Sequence, residues 1–262
     1  MPLKPHSPEW YDRLATLQRG YYYPWRSLLP ALNGEDVFLS FLSEIVSPAK
    51  RVLEVGCGHG ELALQVASSC QSIVAYDRVP DYIQLAQVAA AQQQVHNVTF
   101  ICADSSVALN GTARIPADDH SVDVIYSRRG PLHWIDEARR VARPNAVLFQ
   151  LNPAPPTPPS WNHALPEQFQ LSEFGPTTME QTVRQRLGQN GLAIHSCWSF
   201  QVQEIFPTPE DLYTFITWGH DPAEVPPFTE LAPSLEQIFH DHAASDGLEV
   251  PFGRFLWKAI MR

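Results

Sequence analysis

The sequence predicts an α/β protein with a doubly wound sheet of about seven strands, and three observations carry that expectation. Short β-favouring apolar runs alternate with stretches of helical periodicity along most of the chain. One junction, Arg51-Val52-Leu53-Glu54-Val55-Gly56-Cys57-Gly58-His59-Gly60, breaks a strand pattern with three alternate glycines and resumes at once as a helix. Three successive strands close on an acidic residue, Glu54, Asp77 and Asp104.

Taken in order, Ser7 or Pro8 opens a helix running to Leu17, because a hydroxyl caps the first turn and proline is tolerated there. Residues 20–27 hold an aromatic cluster broken by Pro24, read either as a flap over a ligand or as an arm packed on the core. Asn33-Gly34 is a turn, and Glu35 to Ser47 is an amphipathic helix carrying Val37, Phe38, Phe41, Leu42, Ile45 and Val46, expected to pack on the sheet. Strands follow at 52–55, 72–77, 97–104, 122–127 and 146–151. Between the second and third, Asp81 to Gln94 reads as a helix with Ile83, Leu85, Val88 and Ala89 toward the sheet. A short helix spans Ile135 to Ala142. Asn152 to Pro159 is a stiff proline-rich connection. Met179 to Leu187 is a helix stopped by Gly188 and Gly191, residues 192–206 and 250–261 are two long strands, and Pro209 to Trp218 and Leu231 to His242 are two helices between them.

The glycine turn has a chemical reading of its own. Gly56, Gly58 and Gly60 let the backbone bend sharply and let a ligand touch the main chain, while the following helix directs its unpaired N–H groups over the turn. The spacing Glu-x-Gly-x-Gly-x-Gly departs from the Gly-x-Gly-x-x-Gly of dinucleotide sites. Asp77 follows Gly56 by 21 residues, one strand, one helix and one strand on, where an acidic group reaches ribose hydroxyls in a doubly wound fold. An ordinary helix cap explains Asp77 too, and both roles are compatible.

These residues resemble motif I and the ordered acidic positions of the class I S-adenosylmethionine-dependent methyltransferases, of the small-molecule, type 11-like kind. The resemblance covers roughly residues 35–206 and the last strand, and implies a Rossmann-like core at 51–206. A helical arm or lid at 1–50, a helical insertion at 207–249 serving as substrate lid or as core extension, and a final core strand at 250–262 complete it. It implies S-adenosylmethionine as cofactor, S-adenosylhomocysteine as product, and direct in-line methyl transfer. The same resemblance places Glu54 near the amino-acid part of the cofactor, Gly56, Cys57, Gly58 and Gly60 against its backbone-facing side, Asp77 at the ribose, Asp104 with Ser105 at the adenine edge, and Arg78 and Ser127 among the cofactor-binding residues.

The exit Ser127-Arg128-Arg129-Gly130-Pro131-Leu132-His133-Trp134 lies where such enzymes hold the groups nearest the transferred methyl. It lacks the Asn/Asp-Pro-Pro-Tyr signature of exocyclic or amide nitrogen methylation, and no cysteine stands there for cytosine-C5 chemistry. Arg128 and Arg129 fit recognition of a carboxylate or phosphate, or a solvated structural pair. His133 is a candidate general base, or a structural helix-start histidine. Tyr22 and Trp25 are candidate substrate contacts from the aromatic cluster.

A net charge of −10 disfavours nucleic acid, and a small-molecule acceptor, an anionic one included, is the expected partner. An RNA base methyltransferase and a non-catalytic cofactor-binding protein are the rivals. Four cysteines without C-x-x-C spacing and no histidine cluster argue against a structural metal. No apolar run reaches membrane-spanning length, and Met1 to His6 lacks a signal-peptide core. A cytoplasmic monomer or homodimer is the expectation.

Overall fold

The computed structural model describes residues 7–106, 115–154, 157–171 and 178–262. Met1 to His6, expected to lack a signal-peptide core, and Pro155-Pro156 of the proline-rich connection lie outside the described residues. In chain order the elements are α1 (Pro8–Leu17), α2 (Glu35–Ile45), β1 (Arg51–Val55), α3 (Glu61–Ala67), β2 (Ser72–Asp77), α4 (Pro80–Gln92), β3 (Val98–Cys102), β4 (Val122–Arg128), α5 (Ala138–Val141), β5 (Ala142–Pro153), α6 (Met179–Gln189), β6 (Ile194–Phe206), α7 (Pro209–Thr217), α8 (Phe228–His242) and β7 (Leu248–Ile260). Among the described residues seven strands form one sheet in the order β3-β2-β1-β4-β5-β7-β6. The pairs β2–β3, β1–β2, β1–β4 and β4–β5 are parallel, and β5–β7 is antiparallel. This is the doubly wound α/β arrangement expected, with its strand order reversing between β1 and β4, the place where such sheets bind ligands.

The chain divides into two compact units. One comprises the described residues of Gly34–Pro153, Thr177–Ser199 and Arg254–Arg262. Its central strands are buried on both faces: Val52, Leu53, Val55, Val124, Ile125 and Leu148 are at most 1% exposed, as covered parallel strands require. Phe38 of α2 stacks on Phe149 of β5 at 4.8 Å and meets Tyr126 of β4 edge-on at 6.3 Å, so α2 packs on the sheet as its apolar stripe predicts. In α4 the buried residues are Tyr82, Ile83, Ala86 and Ala90. Of the four expected inside, Val88 is 49% exposed, because the small Ala86 and Ala90 are the side chains that permit close approach. A Cβ added at Gly60 would stand 2.7 Å from Ala86 Cβ and from the Phe100 ring.

Several element ends differ from expectation: β3 stops at Cys102 rather than 104, the helix expected over 135–142 is a 3₁₀ turn, His133–Glu137, followed by α5, and two further differences have identifiable reasons. β5 begins at Ala142 rather than 146, since Val122 pairs with Ala142 and Val124 with Val147, a bulge that absorbs Arg143-Pro144-Asn145. Asn145 takes φ +65 in that bulge, a conformation asparagine tolerates better than most residues. α6 runs through Gly188 to Gln189 and stops at Gly191, whose φ of +64 suits a helix C-terminus.

The second unit comprises the described residues of Met1–Asn33, Ala154–Pro176 and Phe200–Gly253. α7 and α8 pack through Leu212, Ile216, Leu235 and Ile238 around Phe206, Trp161, Leu248 and Val250. α8 starts at Phe228, three residues before the expected Leu231, and carries Pro233 inside it, a proline accommodated in its opening turns. Trp161 and Phe169 lie on two short 3₁₀ turns, and Leu165 follows the first, elements that the proline-rich composition hid. The aromatic cluster packs as a set: Trp10 meets Trp218 at 4.9 Å, and Trp25 stacks on Tyr23 at 4.7 Å and meets Phe215 at 5.0 Å.

Asp211 anchors the arm in this unit. Its carboxylate accepts from the Arg26 backbone N–H at 2.9 Å, from the Arg26 guanidinium at 3.2 Å and from the Thr208 hydroxyl at 2.8 Å. Burial opposes the charge, but these donors outweigh it and hold the carboxyl below its usual range. Asp211→Ala is expected to lower unfolding stability by about 1–3 kcal/mol, because a backbone donor and a guanidinium lose their acceptor. A urea midpoint within error of wild type would contradict this role.

Candidate functional site

The site is built on the carboxyl edge of the parallel strands. β1 ends at Val55, and the next residues are pinned to β2: the Gly56 and Cys57 N–H groups donate to Tyr76 O at 2.9 and 3.0 Å. The three glycines take φ of +70, +53 and +83, values that favour glycine and explain the alternate spacing. Asp77, the last residue of β2, closes the turn. Its Oδ2 accepts from the Gly58 N–H at 2.9 Å and its Oδ1 from the Val79 N–H at 3.0 Å, so one carboxylate ties the glycine turn to the start of α4. Burial raises its pKa against those backbone bonds and the field of Arg78. Each carboxylate oxygen can accept more than one hydrogen bond, so the two backbone bonds leave acceptor capacity at this residue.

On the other side of the turn the backbones of β1 and the β4 exit meet. A Cβ at Gly56 would lie 3.4 Å from Gly130 Cα, and one at Gly130 would stand 2.9 Å from Val55 O and closer still to Ser127 Oγ. Ser127, fully buried, donates its hydroxyl to Val55 O at 2.8 Å, so its side chain joins the two strands. Cys57 is buried with its thiol toward Gly58 O at 3.6 Å, and burial pushes its pKa up.

Glu54 lies one strand residue further in than the turn and is 2% exposed. The Tyr126 hydroxyl donates to its Oε2 at 3.0 Å across the β1–β4 pair. Burial raises the Glu54 pKa to about 8, further raised by Asp77 and opposed by the Tyr126 bond and the Arg128 charge. A carboxyl whose folded pKa exceeds its unfolded value of 4.5 binds more protons folded than unfolded, so it makes stability fall as pH rises between about 4.5 and 8. The slope is at most about 1.4 kcal/mol per pH unit. Glu54→Gln is expected to flatten that slope, measured as urea midpoints at pH 5, 6, 7 and 8; an unchanged slope would contradict the assignment.

At the β3 end Asp104 accepts from the Ser106 N–H at 2.8 Å and the Ser106 hydroxyl at 2.6 Å, with Arg78 at 3.9 Å. Burial works against its charge, and the Ser106 bonds, His133 and Arg78 overcome it and lower its pKa. Ser105 is 2% exposed beside the Tyr76 phenol. His133 opens a 3₁₀ turn, His133–Glu137, and is close enough to Asp104 to act on its charge.

The two arginines at the β4 exit share a partner the sequence did not reveal. Arg128 donates its Nε–H to Glu35 Oε2 at 2.8 Å, Arg129 stands 3.7 Å from Glu35 Oε1, and Arg254 of β7 donates to Glu35 Oε1 at 2.8 Å. Burial would raise the Glu35 pKa, but Arg129, Arg254 and Arg128 together bring it to about 2. Arg129 takes φ +65 and its N–H donates to Leu151 O at 2.8 Å, fixing the turn that carries the pair.

Gln150 and Asn152 also escaped the sequence reading. Gln150, fully buried, accepts from Trp134 Nε1 at 2.8 Å and donates to Gly130 O at 2.8 Å, which holds the loop after β4 in place. Asn152 accepts from Trp257 Nε1 at 3.0 Å. Their signal was two polar residues alternating in an otherwise apolar strand. The structure thus gathers Glu54, Gly56, Cys57, Gly58, Gly60, Asp77, Arg78, Asp104, Ser105, Ser127, Arg128, Arg129 and His133 in one unit. Tyr22 and Trp25 belong to the other, where Tyr22 is 50% exposed and the Trp25 indole donates to Glu204 at 3.4 Å.

Comparison with known proteins places this arrangement. The family model "Methyltransferase domain" matches residues 52–148. The uncharacterized methyltransferase Rv3342 of Mycobacterium tuberculosis is 34% identical over 101 residues, 38% of this chain and 36% of that protein. The chain therefore spans little more than a third of that relative's length. The 23S rRNA (uracil(1939)-C(5))-methyltransferase RlmD of Vibrio cholerae is 27% identical over 130 residues, 50% of this chain and 29% of that protein. A functionally unknown protein from Deinococcus radiodurans R1 superimposes with a TM-score of 0.64 at 25% identity, covering 96% of this chain and 98% of that one. The family match runs from β1 into β5, across the glycine turn that the carboxylate ending β2 clasps, so this stretch of the chain is similar to methyltransferase domains.

Proposed function

We propose that the protein transfers a methyl group from S-adenosylmethionine to a small-molecule acceptor. The observation that carries this reading is the Asp77 carboxylate held against the glycine turn at the point where strand order reverses. The residues present fit the cofactor by their chemistry: acceptor-only oxygens at Asp77 for ribose hydroxyls, a backbone floor at Gly56 and Gly58, and an Asp104–Ser106 turn at the β3 end for the adenine edge.

When bound, S-adenosylmethionine supplies a methyl group on a positively charged sulfur, ready for attack in line. The chain's part is positioning, which accounts for a large share of rate enhancement in such displacements. Gln150 fixes the loop from Gly130 to Trp134, and with it His133, the candidate to take a proton from an acceptor hydroxyl or amine. Glu54, held by Tyr126, is the carboxyl nearest the β1 end for the cofactor's ammonium group, and its raised pKa means that such pairing would release a proton.

An RNA base acceptor is the second reading, favoured by the similarity to an rRNA methyltransferase and opposed by the charge of −10. The experiment is S-adenosylhomocysteine release, measured against a panel of hydroxyl, amine and carboxylate metabolites and against total RNA. Turnover with a member of the panel supports the proposal. Turnover with RNA alone transfers it to the second reading. Cofactor binding without turnover on either favours a binding protein.

A further inference from the structure

The arginines after β4 stand on a face that can be traced strand by strand. Tyr126 and Phe149 pack against Phe38, so their side of the sheet is the side that α2 covers. Arg128 lies two residues beyond Tyr126 and shares that side. Arg254 pairs with Pro153, which shares the side of Phe149, and Glu35 is the first residue of α2. Three elements distant in sequence therefore bring charge together at the carboxyl edge of β4 and β5, beside the reversal of strand order.

Within this group Arg128 has a distinct position. Its side chain is 30% exposed, against 15% for Arg129 and 10% for Arg254. The Nε–H is fixed on Glu35 at 2.8 Å, which holds the planar guanidinium in one orientation and leaves its four other N–H donors on the terminal nitrogens. Among the described residues Glu35 is the acidic group within ion-pair reach of Arg128. Arg128 also acts on Glu54 through its field, which places it toward the β1 end of the edge. The charges of Glu35, Arg128, Arg129 and Arg254 sum to +2, a local positive group in a chain of net charge −10. A fixed, partly exposed guanidinium in such surroundings suits two-pronged binding of a planar carboxylate or a phosphate.

We propose that Arg128 is the specificity-determining contact of the acceptor site and that it grips a carboxylate or phosphate group on the acceptor. This rests on the methyl-transfer reading of the same edge and names the class of molecule it serves. Neutral acceptors bring no negative charge to this net positive group and are discriminated against.

The test titrates wild-type protein calorimetrically with benzoate and with inorganic phosphate, in the presence and absence of S-adenosylhomocysteine, at low and high salt. Arg128→Met is run in parallel. One of the two probes is expected to bind, more weakly at high salt, and Arg128→Met to weaken it by about tenfold or more. Whichever probe binds identifies the group. Arg128→Lys keeps the charge without the fork, is expected to fall between the two, and carries the test if Arg128→Met fails to fold. Binding of S-adenosylhomocysteine by wild type with neither anion bound overturns the inference while leaving the methyl-transfer reading intact. Equal anion binding by wild type and Arg128→Met also overturns it. Failure to bind S-adenosylhomocysteine counts against methyl transfer, and the anion titrations without it still decide the role of Arg128.

Discussion

Asp77→Ala is expected to remove most of the protein's affinity for S-adenosylhomocysteine and to loosen the glycine turn at the same time. The carboxylate accepts the Gly58 and Val79 N–H groups at 2.9 and 3.0 Å, and alanine leaves both donors without that acceptor. An unmet buried donor costs about 1–3 kcal/mol, so unfolding stability should drop by roughly that amount. In the proposed binding mode, losing charge-assisted bonds to two ribose hydroxyls would cost a further 2–4 kcal/mol or so of binding, or roughly 30- to 1,000-fold in affinity. Thermal unfolding with and without ligand reads both effects: a lower Tm for the free variant, and no ligand-induced rise where wild type shows one. Asp77→Asn separates them, since its amide oxygen still accepts one backbone bond while the negative charge is lost. A variant with wild-type Tm and an undiminished ligand shift would show that Asp77 neither closes the turn nor meets the cofactor.

The largest effect on stability alone is expected from Gly60→Ala. Gly60 has φ +83, and an added Cβ would come within 2.7 Å of Ala86 Cβ and of two atoms of the Phe100 ring. The left-handed conformation costs an alanine about 1–2 kcal/mol, and forcing apart the packed α4 and β3 side chains adds about 1–3 kcal/mol. A loss of about 2–5 kcal/mol follows, measured as the shift in urea midpoint at constant slope. Gly188→Ala is the matched control: it lies in α6, and nothing stands within 4 Å of its added Cβ. Helix propensity then predicts a gain of about 0.5–1 kcal/mol. Equal midpoints for the two variants would contradict the packing argument.

The contrast between these glycines shows what was legible in the chain. Alternate glycines after a β-favouring run, and acidic residues closing three strands, are local signals; the turn and β2 lie where they indicated, while β3 ends at Cys102, two residues short of Asp104. On α4 the expectation held for Ile83 and failed for Val88, because periodicity alone cannot tell that Ala86 must be small to sit over Gly60. Gly188 was read as a stop, yet a glycine in a helix weakens it without ending it, and the break comes where φ turns positive at Gly191. Site partners that depend on strand order were not legible. Glu54 meets Tyr126 across 72 residues and Glu35 meets Arg254 across 219, pairings fixed only when β4 docks beside β1 and β7 beside β5. Gln150 and Asn152 carried a weak signal, two polar residues in an apolar strand, which marks a buried hydrogen-bond duty without naming its partner.

Among the described residues no helix is long and apolar enough to cross a membrane. The central claim concerns what the glycine turn and Asp77 hold, and the most direct measurement is calorimetric titration of the wild-type protein with S-adenosylmethionine and S-adenosylhomocysteine. The account predicts saturable binding of both at one site per chain, lost in Asp77→Ala. Well-folded protein that binds neither would contradict it.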